Sequence, residues 1–258
     1  MTLVLARRRF LRAAAATAGS LLIGGCDRLV QDDSVSRVLR MAEALTMRAQ
    51  RAVLPDSAVA REFSEADLSP VFRSNGTSMP DSDEYRALME SGFASWRLVI
   101  DGLVRQPLSL SLDDLKRLPS RTQITRHDCV EGWSAIGKWT GVPLSLLLQT
   151  AEVAPTGRYV VFHCADDLEA TLDGTGRYYE SIDLVDAHHP QTILAYQLNG
   201  AALPVENGAP LRLRVERQLG YKQAKYILRI EVADSLATFG RGNGGFWEDR
   251  GYEWYAGI

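Results

Sequence analysis

Cysteine is scarce in this chain. Three occur in 258 residues, Cys26, Cys129 and Cys164, and no pair is spaced Cys-x-x-Cys. So small and odd a number is not a disulfide framework. The missing Cys-x-x-Cys excludes zinc ribbons and thioredoxin-like chemistry, and the missing Cys-x-x-Cys-His excludes covalent c-type haem. Should the chain handle electrons, a second protein must exchange them. Basic charge is also in short supply: 29 lysines and arginines stand against 32 acids, a net −3. Residues 1–25 hold four of the arginines and no acid, so the remainder has 25 bases against 32 acids, or −7. A net-acidic body argues against nucleic acid as a partner. There is no internal repeat. The apolar run from Ala13 to Gly25 is shorter than the roughly 20 residues of a membrane span. What remains is ordinary globular composition, 46% hydrophobic and 24% charged, in a chain long enough to bury a sizeable core.

The amino terminus reads as an address. Arg7-Arg8-Arg9-Phe10-Leu11-Arg12 precedes the short apolar run, the build of a signal peptide, and the paired arginines resemble a twin-arginine export signal. The run ends Leu22-Ile23-Gly24-Gly25-Cys26, which resembles a lipobox with Cys26 as the lipidated residue. The expectation is a periplasmic protein tethered through Cys26 to the inner-membrane surface. The expected division is a signal over 1–25, a linker and helix over 26–67, and a domain over 68–258.

Apolar positions at helical spacing (Val38, Met41, Leu45, Ala49) predict a helix over 34–52, as a stalk or laid on the domain. Short helices are predicted over Asp83–Ser91, after the capping box at Ser111 and Asp114, over Pro143–Ala151 and over 181–187. Strands are predicted over Trp96–Ile100, Thr122–Arg126, Tyr159–His163, Thr192–Gln197, Leu211–Val215 and Tyr226–Val232, with Asp101-Gly102 as a turn. Gly240–Ile258, rich in aromatics, is expected to pack over the domain. Strands dominate with scattered helices, which predicts an α+β fold with mixed sheets and a barrel-like core.

Chemistry concentrates at Arg126-His127-Asp128-Cys129-Val130-Glu131-Gly132-Trp133, followed by Trp139-Thr140-Gly141-Val142-Pro143-Leu144. A thiolate just after a strand is a soft metal ligand on a rigid frame. Taken alone, a free cysteine in a mostly apolar chain is usually just a buried residue. Cys129 with His127 could also form a nucleophile and base, although residues two apart on a strand share a face without necessarily touching. Zinc would need further ligands. A second block reads Asn199-Gly-Ala-Ala-Leu-Pro204, Asn207-Gly-Ala-Pro-Leu-Arg212 and Gly220-Tyr-Lys222-Gln-Ala-Lys225. Arg212, Lys222 and Lys225 can supply cations to a phosphate, the backbone around Gln223 and Ala224 can supply amides, and Asn207 offers both donor and acceptor. The alternative is that Arg212, Arg214 and Arg217 form one solvated strand face.

Together the two blocks resemble the molybdopterin-dependent oxidoreductases of the sulfite-oxidase fold family, and within it the bacterial periplasmic methionine-sulfoxide reductase catalytic subunits. The resemblance covers roughly residues 68–258. It implies a sulfite-oxidase-type molybdopterin-binding fold and a Mo-molybdopterin cofactor with Cys129 as its protein metal ligand. It also implies cofactor contacts from Asn207, Arg212, Lys222, Gln223, Ala224 and Lys225, and from Asn75 in Phe72-Arg-Ser-Asn75-Gly-Thr77. His127 is a candidate catalytic proton donor or acceptor, and Cys164 a candidate pocket residue. Sulfite oxidases follow their cysteine with Ala-Gly-Asn-Arg, where this chain has Val130-Glu131-Gly132-Trp133, and their carboxy-terminal dimerisation domain has no counterpart before Ile258. The expected activity is therefore two-electron oxygen-atom transfer, reducing an S-oxide of a small molecule or an oxidised side chain. A separate haem- or quinone-linked carrier would supply the electrons. Sulfite oxidation and a non-catalytic cofactor-binding lipoprotein are the alternatives.

Overall fold

The computed structural model describes residues 33–55, 57–169, 171 and 176–258. The candidate export signal and Cys26 lie outside them. Helix α1 (Asp33–Val53) forms where the periodicity predicts it, and its apolar positions Val38, Met41 and Leu45 are exposed. No helix among the described residues is long and apolar enough to cross a membrane.

The chain from Leu54 to Ile258 forms a separate compact unit. Its elements run α2 (Asp83–Glu90), β1 (Leu98–Gly102), β2 (Leu108–Leu110), α3 (Leu112–Arg117), β3 (Arg121–Asp128) and β4 (Ser134–Pro143). There follow α4 (Leu144–Ala151), β5 (Tyr159–Asp167), β6 (Arg177–Asp183), α5 (Leu184–Ala187), β7 (Ile193–Leu198), β8 (Ala201–Ala202), β9 (Arg212–Arg214) and β10 (Ile227–Ala233). One sheet has the order β2-β1-β10-β5-β6, mixed because β1 and β10 are parallel. The other has the order β3-β4-β7-β8, with β9 also paired to β7. This is the expected α+β architecture with a curled, barrel-like sheet. The main core holds Trp96, Leu98, Leu148, Phe162, Leu213 and Ile230, all essentially inaccessible.

Local chemistry explains the helix starts. Ser111 Oγ accepts from Asp114 N while the Asp114 carboxylate accepts from Ser111 N, the predicted capping box. The structure departs from the sequence reading at two predicted elements, adds strands, and rules out the solvated arginine face offered as an alternative. Asp101 and Gly102 stay in β1, paired with Glu231 and Val232 of β10, and are not a turn. Ser181–Asp183 belong to β6, and only Leu184–Ala187 are helical, capped by Asp183. Strands β2, β4 and β8, and β6 from Arg177, were not foreseen. Arg212 and Arg214 are fully buried and form no solvated face.

Strand β3 inverts the usual alternation. Its inward positions are Gln123, Thr125 and His127, all buried. A polar inner face needs partners. Gln123 donates to Gln191 O and Glu216 Oε1, at 3.0 and 2.8 Å. The β3–β4 hairpin carries this polar face to a short loop, residues 129–133.

Candidate active site

That loop is closed by two backbone bonds, Cys129 N to Trp133 O (2.9 Å) and Gly132 N to Cys129 O (3.0 Å). Asp128 anchors its base by accepting from Ser134 Oγ and Arg126 Nε, and Glu131 accepts from Trp133 Nε1 at 2.9 Å. Cys129 is thereby held half-buried on the wall of a cavity that opens to solvent. Burial pushes its thiol up from the ordinary value, a rise that the Glu131 backbone N–H opposes and the Glu131 carboxylate reinforces. A bound metal would reverse this, because a coordinating thiol is deprotonated outright.

Asn75, Gln223 and Lys225 line the same cavity, as the motifs led one to expect. Asn207 and Arg212 are buried and joined by a bond from Arg212 Nη1 to Asn207 O (2.9 Å). Gly208, at φ +111°, packs against Lys225, where a Cβ would lie 2.9 Å from the lysine's own Cβ. Only glycine suits both that backbone and that approach. Ala224 is buried and its carbonyl accepts from Leu213 N.

Three candidates fall elsewhere. Lys222 Nζ lies between Glu180 and Glu248, 2.5 Å from a carboxylate oxygen of each, and is not on the cavity wall. Its charge is committed to those carboxylates. His127 is fully buried, and its Nδ1 accepts from Arg214 Nη1 at 3.0 Å. Burial, then Arg214 and Arg212, hold it well below 6.5, so it is a neutral imidazole at neutral pH. It supports Gly220 on the wall, where a Cβ would lie 2.4 Å from His127 Nε2. Cys164 is core, shut off from solvent.

Sequence reasoning missed Asp166, Tyr178, Tyr221, Trp247 and Tyr252, which also line the cavity. Asp166 is buried, and burial pushes its carboxyl up to about 6. Its one available signal was an acidic pair closing the apolar run of β5.

The residues fit molybdopterin. Asn75 Oδ1, Asp166 Oδ1, Asn207 Nδ2, and Arg212 Nε and Nη2 are buried without a hydrogen-bond partner in the protein. Each such orphan costs about 1–3 kcal/mol, so their grouping calls for a polar ligand with both donors and acceptors. Burial and the neighbouring Arg214 draw Arg212 down to about 9, and burial and Arg212 draw Lys225 down to about 7. Two desolvated cations that repel each other are what a phosphate relieves.

The chain belongs to the family described as the oxidoreductase molybdopterin binding domain, which matches residues 86–238. It is an enzyme of that class, with Mo-molybdopterin as its cofactor. It is 38% identical over 252 residues to YedZ1 of Azospira oryzae, named as a candidate protein-methionine-sulfoxide reductase subunit, covering 98% of this chain and 88% of that protein. It is also similar to protein-methionine-sulfoxide reductase catalytic subunits MsrP. The identity is 34% with that of Ralstonia nicotianae, over 67% of this chain and 53% of the relative. It is 39% with that of Gluconobacter oxydans, over 54% and 47%. The chain thus spans about half the length of those two. A solved relative, the sulfane dehydrogenase SoxCD of Paracoccus pantotrophus, is 28% identical with a TM-score of 0.48, covering 54% of this chain and 38% of that one.

Proposed function

We propose that the protein is the catalytic subunit of an S-oxide reductase: a sulfoxide plus two electrons and two protons gives a sulfide and water. The cofactor supplies the two-electron redox and oxygen-atom chemistry. Cys129 holds the metal, and Asn75, Asn207, Arg212, Gln223, Ala224 and Lys225 orient the pterin and its phosphate.

The observation that carries this reading is the charge of the cavity wall. Among the described residues lining it, Lys225 is the one cation, against the acids Glu131 and Asp166. Lys225 Nζ, held by the backbone carbonyls of Asn75 (2.6 Å), Thr77 and Glu206 (3.1 Å), is assigned to the cofactor phosphate and is not left over for substrate. Arg73 stacks 5.6 Å from the Trp133 ring centroid, and Arg126 pairs with Asp128 at 2.9 Å. Dianionic sulfite would lose charge-assisted contacts worth about 1.5–3 kcal/mol each. A neutral sulfoxide loses none. The names of the relatives support the same reading.

Those names also describe subunits, and the chain has no haem-attachment motif. Electrons accordingly come from a separate haem- or quinone-linked carrier. The paired Arg7 and Arg8 and the Gly25-Cys26 junction support twin-arginine export and a periplasmic, lipid-tethered enzyme. Steady-state dye-linked kinetics with a methyl sulfoxide and with sulfite, on one preparation, test the activity. Sulfoxide turnover exceeding sulfite turnover is expected; efficient sulfite oxidation without sulfoxide reduction would reverse the assignment.

A further inference from the structure

The cavity has two kinds of wall. Asn75, Asp166, Gln223 and Lys225 bring polar groups to one part, while Val130, Leu168, Tyr221, Trp247 and Tyr252 bring rings and alkyl carbon to another. Trp247 and Tyr252 lie after residue 238, beyond the stretch that matches the family. The rings of Tyr221 and Tyr252 meet at 5.1 Å and 77°, and those of Trp247 and Tyr252 at 5.3 Å and 43°. Val130 and Tyr252 are 45% and 41% exposed, so the apolar surface opens to solvent beside Cys129. Grouped apolar exposure of this kind marks a binding surface.

The wall is fixed in place. Tyr221 Oη donates to Glu253 O at 2.6 Å, Phe246 N to Tyr179 O at 3.0 Å, and Leu219 N to Ala256 O at 3.0 Å. Beneath it, Glu248 of the same segment is bound to Lys222 in the buried triad with Glu180.

We propose that Trp247 and Tyr252, braced by Tyr221, are the specificity-determining wall of this site, taking the alkyl arm of a sulfoxide side chain borne on a polypeptide, and that Lys222 is their positioning residue. The proposal rests on the S-oxide reading above. An oxidised methionine presents a short dipolar S–O group on an unbranched arm. The S–O end needs the metal side of the cavity, whereas the methyl and methylenes gain most against aromatic faces and edges. A small sulfoxide such as dimethyl sulfoxide has no arm to place there.

The test uses purified holoenzyme, a short peptide with a single methionine sulfoxide, and dimethyl sulfoxide. Trp247→Ala is expected to raise KM for the peptide about tenfold, ~1.4 kcal/mol, with kcat within about twofold. KM for dimethyl sulfoxide and the molybdenum and pterin contents should hold, and Trp247→Phe should restore much of the peptide KM. Tyr252→Ala, at an exposed position, gives the same pattern should Trp247→Ala fold poorly. Lys222→Met should move the peptide KM in the same direction without touching substrate. An unchanged peptide KM in fully loaded Trp247→Ala and Tyr252→Ala overturns the proposal while leaving the S-oxide reading intact. So does loss of pterin in either, since the wall would then be holding cofactor. A wild-type enzyme that reduces neither sulfoxide overturns the reading and the proposal together.

Discussion

Lys222 Nζ lies 2.5 Å from Glu248 Oε1, with both side chains shut away from solvent. The contact joins the stretch proposed to hold the cofactor to the segment that carries Trp247 and Tyr252, and Glu180 completes it from β6. Burial pulls the lysine down, but the two carboxylates outweigh it and hold its pKa above the ordinary value. Burial and Glu248 push Glu180 well up. Lys222→Met strands two buried carboxylates and should lower unfolding stability by about 3–5 kcal/mol. Glu180→Gln removes one of two competing acids and should cost far less. Urea denaturation of the two variants checks the ordering.

Arg212 should be indispensable for holding the cofactor. Its Nε and Nη2 are buried without protein partners. Arg212→Lys keeps a positive charge but loses the planar fork that matches a phosphate. We expect pterin content, read as fluorescence of the released and oxidised cofactor, to fall about tenfold or more.

Lys225 makes the cofactor-free protein pH-sensitive in a definite direction. Its folded pKa is drawn down to about 7 by burial and Arg212, from 10.5. Between those values the folded chain binds fewer protons than the unfolded chain, so this group's contribution to stability rises with pH from about 7 to 10.5. Thermal unfolding of apo-protein should show that rise, and Lys225→Met should flatten it. Loading the cofactor should also flatten it, by restoring the lysine's proton.

Gly220 is required by close approach rather than by its backbone angles. A Cβ there would meet His127 Nε2 at 2.4 Å and Asp128 O at 3.2 Å. Gly220→Ala should push the His127–Asp128 end of β3 away, displacing Cys129 and lowering molybdenum content. Elemental analysis of the variant reads this directly.

Much of this candidate site was legible because its residues sit in short, contiguous blocks. Asn75, Cys129, Asn207, Arg212, Gln223 and Lys225 could be nominated from sequence; Asn75, Cys129, Gln223 and Lys225 line one cavity, while Asn207 and Arg212 are bonded to each other, with Gly208 packed between Arg212 and Lys225. What could not be read depends on long-range partners. Lys222 looked like a phosphate ligand because Glu180 and Glu248 are 42 and 26 residues away. Strand β4 was hidden because its glycines resemble turn signals. Gly141 is instead a packing residue, where a Cβ would lie 2.1 Å from Leu194 O on β7. Strand β6 read as helix near 181 because Glu180 and Ser181, buried and polar, broke the expected alternation. The aromatic tail was expected to pack over the domain, but nothing local said that Trp247 and Tyr252 would reach the cavity.

In the proposed enzyme Cys129 holds molybdenum in a pterin-loaded cavity. The most direct test is metal analysis by mass spectrometry with pterin fluorescence, on purified wild type and Cys129→Ala. Wild type should carry stoichiometric molybdenum and pterin. Cys129→Ala should remain folded, keep part of its pterin through the polar contacts, and lose its activity. Wild-type protein without molybdenum or pterin, or a fully active Cys129→Ala, would contradict it.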